Sequence, residues 1–360
     1  MNILILAKHK KLGGLITHIG LLAKGLTEYE GNRVIIGISP GEGAKDLSKS
    51  LTVELLPFSL TNPLKMIKTF QGIGRLVDKY DIDIIHTENR VPSLFAAFYC
   101  LSHKNVKFLW SNHQVPIPSD FVHRAMTKYG ELAVAEGIEG RRLLINELRI
   151  PEDKTTIVNL GIELEKFVKT DEKAQSDLKT KIGVQAGTKM LMLYGRLTES
   201  KGHLFLLDAM NKVGFKNYRL VMPGDDAAFK ETVITRAKEY GIADKLVFPG
   251  FVNGREFLSI SDLMLLPSKN EGFPQACVEA YAMGVPVIRT KTGGYEDTKD
   301  MCWGVDFGDV DTLAKLLNNY FADDKPFVEK AKHAEEAVKR LNVQTMAHNY
   351  QKIYQEILKK

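Results

Sequence analysis

The sequence predicts an α/β protein of two doubly wound domains that face each other across a cleft. Short β-rich runs alternate with helical patterns, which is typical of parallel βαβ units. A charged stretch without strand-like alternation, residues 164–187, interrupts this pattern, which then starts again. The length of 360 residues also exceeds the roughly 100–200 residues of one domain. Because doubly wound sheets bind ligands at the carboxyl ends of their strands, we expect the site in the cleft.

The first half contains six strand-like runs and two helical patterns. The strands are expected at residues 2–7, 33–39, 83–87, 107–111, 132–135 and 156–158. One helix is expected over residues 15–29, and a second begins at Asn62-Pro63, an N-cap followed by a first-turn proline. The apolar residues predicted to line the inward face of this second helix are Leu64, Ile67, Phe70, Ile73, Leu76 and Val77.

The second half repeats the alternation. Its strands are expected at residues 189–194, 219–223, 246–249, 263–267 and 286–289, and its helices at 202–213 and 275–283. We place the boundary at residues 166–170, which gives an N-terminal domain of residues 1–165 and a C-terminal domain of residues 166–340. Residues 341–360 are expected to form a helix that packs back on the N-terminal domain. Its inward residues are Met346, Tyr350, Ile353, Tyr354 and Ile357.

The composition is that of an ordinary globular protein. The net charge of +5 is too small to indicate a nucleic-acid partner, but it suits an anionic membrane surface or a phosphate-bearing substrate. The three cysteines, Cys100, Cys277 and Cys302, are too widely spaced for a disulfide framework or a zinc site, so we expect reduced thiols in a cytoplasmic protein. No apolar run approaches the roughly 20 residues of a membrane span, so any contact with the inner face of a membrane is expected to be peripheral.

The segment 267–280 is the most informative part of the sequence. It leaves an apolar strand and enters a helix, with Glu271 in the loop and Glu279 eight residues further on. Carboxylates accept hydrogen bonds from sugar and ribose hydroxyls. Free backbone amides at the start of the helix suit a phosphate. The segment therefore predicts a site for a phosphorylated sugar. Its further members are Gly272, Phe273, Pro274 and Gln275.

A second predicted element lies after the first strand of the second half. Arg196 and Lys201 stand five residues apart in the loop before the next helix. Two fixed cations there would stabilise the negative charge that develops on a departing diphosphate, without a metal ion.

The first half offers three further candidates. Gly13 and Gly14 follow the first strand, where glycine lets backbone approach a ligand, and His18 lies one turn further on. His113 stands at the end of another strand. The run Lys8-His9-Lys10-Lys11 is either a solvated loop or a holder of an anionic acceptor or lipid headgroup. Lys10 and Lys11 are its candidate residues, and Arg124 and Lys128 are possible neighbours.

Several of these motifs together resemble the retaining GT-B glycosyltransferases of family 4. Segment 267–280 is similar to the family's Glu-x7-Glu signature, and Tyr194 to Gly202 looks like its Gly-Arg-Leu…Lys-Gly element. The turn at Met222-Pro223-Gly224-Asp225 and the loop containing Phe251 also resemble family elements. The sequence Ser111-Asn112-His113-Gln114 departs from the family's commoner Thr-Val-His-Asp, which leaves the role of Gln114 in doubt.

The resemblance implies a GT-B fold of two Rossmann-like domains and a role for each motif. Glu271 would contact the donor sugar and Glu279 the ribose, while Arg196 and Lys201 would hold the pyrophosphate. His113 would lie near the sugar 6-hydroxyl. Gly13, Gly14, Gly224 and Phe251 would border the donor, and His18 would lie on the acceptor side.

The implied reaction is transfer of a sugar, with retention, from a nucleotide donor to a saccharide or lipid-linked acceptor. A UDP-sugar donor and a role in bacterial envelope or exopolysaccharide synthesis are expected from the resemblance. No Asp-x-Asp at a strand end suggests a metal-bridged donor, so we expect no metal or other cofactor and no effect of EDTA on the rate. Two alternatives stay open: a non-catalytic sugar-binding partner subunit, and an epimerase acting on the nucleotide sugar itself.

Overall fold

The computed structural model describes residues 1–113, 115–185, 187–224 and 226–359. Gln114 and Asp225, named in the motifs above, lie outside the described residues. The chain forms two compact units. Unit 1 comprises Met1–Ile162 and Leu341–Lys360, and unit 2 comprises Glu163–Arg340. No helix in the described ranges is both long and apolar enough to cross a membrane.

Unit 1 is built on a seven-stranded sheet in the order β3-β2-β1-β4-β5-β6-β7, and all neighbouring strands run parallel. The strands are β1 (Asn2–Ala7), β2 (Arg33–Ile38), β3 (Thr52–Leu55), β4 (Ile84–Thr87), β5 (Lys107–Asn112), β6 (Ala133–Ala135) and β7 (Thr155–Ile157). Only β3, a short edge strand with two exposed residues, was missed by the sequence pattern.

Helices cover both faces of this sheet. They are α1 (Gly14–Thr27), α2 (Glu42–Leu47), α3 (Pro63–Tyr80), α4 (Arg90–Ser102), α5 (Phe121–Met126), α6 (Ile138–Asn146) and, at the end of the chain, α15 (Val343–Leu358). Side chains alternate between the faces of β1. Ile3 and Ile5 pack in one core with residues of α1 and α15, whereas Leu4 and Leu6 pack in another with α3 and α4.

Unit 2 is built on a six-stranded parallel sheet in the order β10-β9-β8-β11-β12-β13. Its strands are β8 (Lys189–Leu193), β9 (Tyr218–Val221), β10 (Leu246–Val247), β11 (Leu263–Leu266), β12 (Val287–Thr290) and β13 (Trp303–Val305). Its helices are α7 (Glu172–Lys181), α8 (His203–Met210), α9 (Ala227–Glu239), α10 (Gly254–Ser259), α11 (Gln275–Ala282), α12 (Tyr295–Thr298), α13 (Val310–Ala322) and α14 (Lys325–Ala337). The two doubly wound sheets confirm the predicted fold class.

The inward stripe predicted for α3 is wrong in its first half. Ile73, Leu76 and Val77 are buried, but Leu64 and Ile67 are 70% and 54% exposed. Successive steps of three residues lag a full turn of the helix by about 60° each. Residues spaced by three therefore move gradually around the helix and away from its buried face, and the first of them point to solvent.

The strand order reverses at one place in each sheet. In unit 1 the reversal lies between β1 and β4, and in unit 2 between β8 and β11. The connections leaving these strand pairs diverge to opposite faces, which opens a crevice at the carboxyl ends of the strands. The glycines after β1 and the candidates at residues 196, 201 and 271–275 lie on loops at these two points, whereas His113, Gly224 and Phe251 follow β5, β9 and β10.

Candidate functional site

In unit 2, two loops at the strand-order reversal are locked together by their backbones. The amide of Lys269 donates to the Ser200 carbonyl over 2.8 Å. Gly202 has a left-handed φ of 74°, and a Cβ there would stand 1.9 Å from the Pro267 carbonyl oxygen. Only glycine fits both the conformation and the space. The loop after β8 is thereby fixed against the loop after β11.

This contact places a lysine and a glutamate from the two loops side by side. Lys201 Nζ donates to Glu271 Oε1 over 2.6 Å, and the side chains are 18% and 10% exposed. The Arg196 side chain is exposed and makes no contact of this kind with any described residue. The two predicted cations thus lie on one loop, and one of them is already held beside the predicted sugar-binding carboxylate.

Arg289, which the sequence analysis missed, holds the loop after β12 in place. Its guanidinium is 1% exposed, and Nη2 donates to the carbonyl of Gly293 over 2.7 Å and to that of Thr292 over 3.2 Å. Gly293 packs directly on the next loop, since a Cβ there would lie 2.3 Å from the Glu271 carbonyl oxygen. A charged residue at the end of the apolar strand β12 was the available signal.

Glu279 belongs to a cavity of about 480 Å³ within unit 2. Its lining residues are Glu165, Lys166, Phe167, Tyr194, Asn253, Gly254, Arg255 and Glu279. The Tyr194 hydroxyl hydrogen-bonds to Glu279. The second carboxylate oxygen, Oε2, is buried without a partner among the described residues. Buried acceptors are normally satisfied, so this oxygen is placed to accept from a ligand.

The electrostatics of Glu279 follow from its burial. Burial raises the pKa of Glu279 above its ordinary value, although the hydrogen bond from Tyr194 lowers it. The pKa of Tyr194 is also raised, first by burial and then by the Glu279 charge. Gly254 leaves room for this tyrosine, because a Cβ at position 254 would stand 1.8 Å from its hydroxyl oxygen. Tyr194 and Gly254 are site residues whose roles the sequence analysis did not assign.

The other residues predicted to contact the donor differ in how exposed they are. Gly224 has a φ of 124° and donates to the Gly250 carbonyl over 2.8 Å. Phe251 is 84% exposed, whereas Phe273 is buried against Gly294 and its ring belongs to the packing. Pro274 is buried and caps α11, and Gly272 is half-buried in the loop before it. Gln275 begins α11, and its Nε2 is buried without a described partner.

In unit 1, His113 is held between two glutamates. His113 Nε2 contacts Glu88 Oε2 at 2.5 Å, and Nδ1 contacts Glu136 Oε1 at 2.7 Å. Burial lowers the pKa of His113, but the charges and hydrogen bonds of Glu136 and Glu88 outweigh it and raise the pKa to about 10. His113 is therefore protonated at neutral pH, and both nitrogens donate within the cluster. The sequence analysis selected His113 but neither glutamate.

His18 lies against this group, with its ring centroid 4.8 Å from that of His113. The side chain is buried, and neither nitrogen has a hydrogen-bond partner among the residues described. Burial lowers the pKa of His18, although Glu88 acts in the opposite direction. His18, Glu88 and His113 offer ligand atoms within 4.8 Å of one another, so these three residues could hold a metal ion.

A buried polar network connects this cluster to α15. His86 Nδ1 pairs with the Tyr354 hydroxyl at 2.8 Å, and His86 Nε2 pairs with Ser111 Oγ at 2.6 Å. The same Ser111 oxygen lies 2.9 Å from the Tyr350 hydroxyl. Both ring nitrogens of His86 thus take part in hydrogen bonds, so His86 has no free ring nitrogen to offer to a ligand.

The first loop of unit 1 is exposed. Gly13 caps α1 with a φ of 153°, and Gly14 begins the helix. The Lys10 carbonyl accepts from the Gly43 amide over 3.0 Å, which ties the loop to the turn before α2. The Lys10 and Lys11 side chains are exposed and form no ion pair with a described residue. They are therefore free to meet an anion.

Two family descriptions match the chain, one for each half. Residues 12–166 match Glycosyltransferase Family 4, and residues 174–341 match Glycosyl transferases group 1. The first match ends at residue 166, just inside unit 2, and the second ends at residue 341, where the chain returns to unit 1.

Curated relatives include three whose names are informative. The chain is 33% identical to an uncharacterised glycosyltransferase, MJ1607, of Methanocaldococcus jannaschii over 40% of this chain and 38% of that protein. It is 25% identical to an N-acetyl-α-D-glucosaminyl L-malate synthase of Bacillus anthracis over 84% and 80% of the two chains. It is also 25% identical to an Escherichia coli UDP-Gal:α-D-GlcNAc-diphosphoundecaprenol α-1,3-galactosyltransferase over 64% and 63%.

Solved structures share the fold over essentially the whole length. A glycosyltransferase from Rickettsia africae superposes with a TM-score of 0.89 at 23% identity, covering 100% of this chain and 99% of that one. HepE of Anabaena, in complex with UDP and glucose, superposes with a TM-score of 0.86 at 19% identity, covering 99% and 100%. At these identities the likeness establishes the fold alone.

Proposed function

Because the chain belongs to the group 1, or family 4, glycosyltransferases, we propose that it moves a sugar from a nucleotide donor to a saccharide or lipid-linked acceptor. The observation that carries the proposal is the Lys201–Glu271 contact at the strand-order reversal of unit 2. The same unit holds the cavity with the unsatisfied Glu279 carboxylate oxygen. A cation, a sugar-binding carboxylate and a ribose-binding carboxylate are the three contacts that a nucleotide sugar requires.

The nucleoside is assigned to the cavity that Tyr194 and Glu279 line. A ribose carries two neighbouring hydroxyl donors, and Glu279 Oε2 is a buried acceptor without a described partner. The pyrophosphate is assigned to Lys201 and the exposed Arg196. The donor is proposed to be a UDP-sugar. HepE, whose fold is shared, is described in complex with UDP, and the E. coli relative is named for a UDP-galactose donor.

The chemistry is proposed to proceed with retention by substitution on one face of the sugar. The bond from the anomeric carbon to the β-phosphate oxygen breaks while the acceptor oxygen bonds to the same face of that carbon. The acceptor's proton passes to the leaving β-phosphate. Glu271 is assigned to positioning the sugar as a hydrogen-bond acceptor for its hydroxyls, and not to the role of a nucleophile.

The negative charge of the leaving diphosphate is proposed to be met by side chains. Lys201 is held near the place where that charge develops by its contact with Glu271, and the exposed Arg196 lies on the same loop. No metal ion is therefore proposed between the protein and the donor.

The acceptor is proposed to be lipid-linked and reached at an anionic membrane surface, as in envelope polysaccharide synthesis. Residues 61–68, which contain the first turns of α3, are all exposed and combine Leu64, Met66 and Ile67 with Lys65 and Lys68. Helix α5 is similar, with Phe121 85% exposed and Arg124 beside it. Apolar and cationic side chains together suit the headgroup region of an anionic bilayer. The E. coli relative, named for an undecaprenol-linked acceptor, agrees with this class.

A donor screen tests the proposed function. Binding of UDP-, GDP- and ADP-sugars would be measured by calorimetry, and hydrolysis of each donor without acceptor would be followed by NMR. We expect binding and slow hydrolysis of a UDP-sugar to UDP and the free sugar. Conversion of the donor to another nucleotide sugar would instead establish an epimerase. Binding of sugars without any nucleotide dependence would establish a non-catalytic partner subunit.

A further inference from the structure

The carboxyl ends of three adjacent strands in unit 1 carry a compact polar group. Glu88 follows β4, His113 follows β5 and Glu136 follows β6, and these strands are neighbours in the sheet. His18 joins them from the second turn of α1. We call these four residues the unit 1 cluster. They come from separate parts of the sequence and meet at the strand-order reversal.

The unit 1 cluster leaves several strong ligand atoms unsatisfied. Both nitrogens of His18 are buried without a hydrogen-bond partner in the described part of the chain, and so is Glu88 Oε1. His18 is 2% exposed and Glu88 is 1% exposed. Burying polar atoms without a partner is unfavourable. His18 Nε2 and Glu88 Oε1 lie 3.8 Å apart, so one bound ligand that accepts both imidazole and carboxylate could satisfy them together.

The distances fit a metal ion. His18 Nε2 lies 3.8 Å from Glu88 Oε1, and His113 Nε2 contacts the other oxygen of Glu88 at 2.5 Å. One ligand atom from each of the three residues falls within 4.8 Å of the others. Nitrogen and oxygen ligands at about 2.0–2.2 Å around a tetrahedral ion lie somewhat over 3 Å apart. To hold one ion, the hydrogen-bonded contact between His113 and Glu88 would open slightly and the separation between His18 and Glu88 would shorten slightly.

Glu136 occupies the position of an outer carboxylate. Its Oε1 accepts from His113 Nδ1 at 2.7 Å, which would leave Nε2 as the coordinating atom. Metal-binding histidines usually donate their other nitrogen to such a carboxylate, which fixes the orientation of the ring.

We propose that His18, Glu88 and His113 bind one divalent transition-metal ion of the zinc class, with Glu136 orienting His113. Two imidazoles and one carboxylate favour zinc, cobalt or nickel over magnesium or calcium, which prefer oxygen ligands. The fourth coordination position is left to a water molecule. On binding, the ion takes the place of the proton on His113 Nε2, and that proton passes to solvent. The charge of the ion offsets the two carboxylates.

Cobalt provides the test because its visible d–d bands report the coordination directly. The full-length protein would be freed of metal with a chelator and titrated with Co²⁺, and Zn²⁺ would then be added as competitor. We expect one Co²⁺ per chain, bands of a four- or five-coordinate ion, and their loss on addition of Zn²⁺. Wild-type protein without these bands would overturn the proposal.

Three variants assign the ligands. Glu88→Gln and His18→Ala are expected to abolish the bands, while Glu136→Gln is expected to weaken Co²⁺ binding 10- to 100-fold with the bands retained. His333→Ala, at an exposed histidine of unit 2, is the matched control and should leave the titration unchanged. Circular dichroism identifies any variant that fails to fold, and the milder Glu136→Gln then carries the test. Unchanged cobalt binding in folded Glu88→Gln or Glu136→Gln protein would contradict the assignment. Because the readout lies in unit 1, its failure is separable from failure of donor binding.

Discussion

Lys201 and Glu271 hold each other in the described structure, and a bound donor would change the partners of both. The lysine would turn to the diphosphate and the carboxylate to sugar hydroxyls. Their 2.6 Å contact keeps both groups in place until then. This preorganisation is what stabilisation of a developing charge requires.

Replacing Lys201 tests that role. Lys201→Ala is expected to lower kcat for transfer or donor hydrolysis by about 10²–10³-fold, the usual effect of removing one preorganised group that stabilises developing charge. Lys212→Ala removes a comparable ion pair, with Asp311, at the surface of the same unit and should leave kcat unchanged. Equal rates for wild type and Lys201→Ala, measured by UDP release, would exclude Lys201 from the reaction.

Glu279 links donor binding to pH. Burial raises its pKa in the free protein, and hydroxyl donors from a ribose would favour the ionised form and lower that pKa. Binding therefore releases a proton, and affinity for UDP should fall as the pH drops through the free-protein pKa of Glu279. Calorimetry from neutral to acidic pH measures this slope. Glu279→Gln should show only the slope due to the nucleotide's own phosphates, and an identical slope in both proteins would refute the linkage.

Local patterns in the sequence single out some candidate residues better than others. Glu271, Glu279, Arg196 and Lys201 could be selected as candidates because each lies in a continuous motif. Tyr194 acts through its contact with Glu279, which is distant in sequence, so no short segment encodes it. Arg289 contacts the loop directly after its own strand, and only its charge at the end of an apolar strand signalled it. The unit 1 cluster was missed as a group, although three successive strand ends followed by Glu88, His113 and Glu136 were a readable signal.

At the scale of elements, the backbone contact between the loops after β8 and β11 shapes the proposed donor site. Gly202→Ala should be destabilising because the left-handed φ costs about 1–2 kcal/mol and the added Cβ meets the Pro267 carbonyl. Gly183 has a similar φ of 71° but open space around it, so Gly183→Ala carries the conformational cost alone. Chemical denaturation should rank Gly202→Ala clearly below Gly183→Ala. Equal stability would mean that the loops are not locked as described.

Helix α3 illustrates where periodicity fails. The apolar residues in its second half are buried as predicted, but those in its first turns are exposed. The sequence shows the spacing of apolar residues but not where the neighbouring core ends. The exposed start of α3 then becomes a candidate membrane contact.

A double substitution tests that contact. Leu64→Ser with Ile67→Ser should weaken binding to anionic lipid vesicles several-fold and leave the free energy of unfolding nearly unchanged, since both side chains are exposed. Vesicle flotation measures the binding. The matched control is Val168→Ser, at an exposed apolar residue of unit 2, which should bind like wild type. Full binding by the α3 variant would remove this helix from the proposed membrane surface.

At the scale of the whole molecule, the alternation of strand-like and helical runs, with polar motifs at the ends of strands, was sufficient to predict the fold class. All parallel pairs of both sheets arise from βαβ units that can be read in the sequence, except for the short edge strands β3 and β13. The return of the chain to unit 1 through α15 depends on tertiary packing. Met346, Tyr350, Tyr354 and Ile357 are buried there with residues of α1 and the sheet.

We propose that unit 2 binds a nucleoside diphosphate through side-chain cations and without a metal ion. The most direct measurement is the affinity of the full-length protein for UDP by calorimetry, first after treatment with EDTA and then with added Mg²⁺. We expect the same Kd in both conditions and a large loss of affinity when Lys201 and Arg196 are both replaced by alanine. Binding that disappears with EDTA and returns with Mg²⁺ would contradict it.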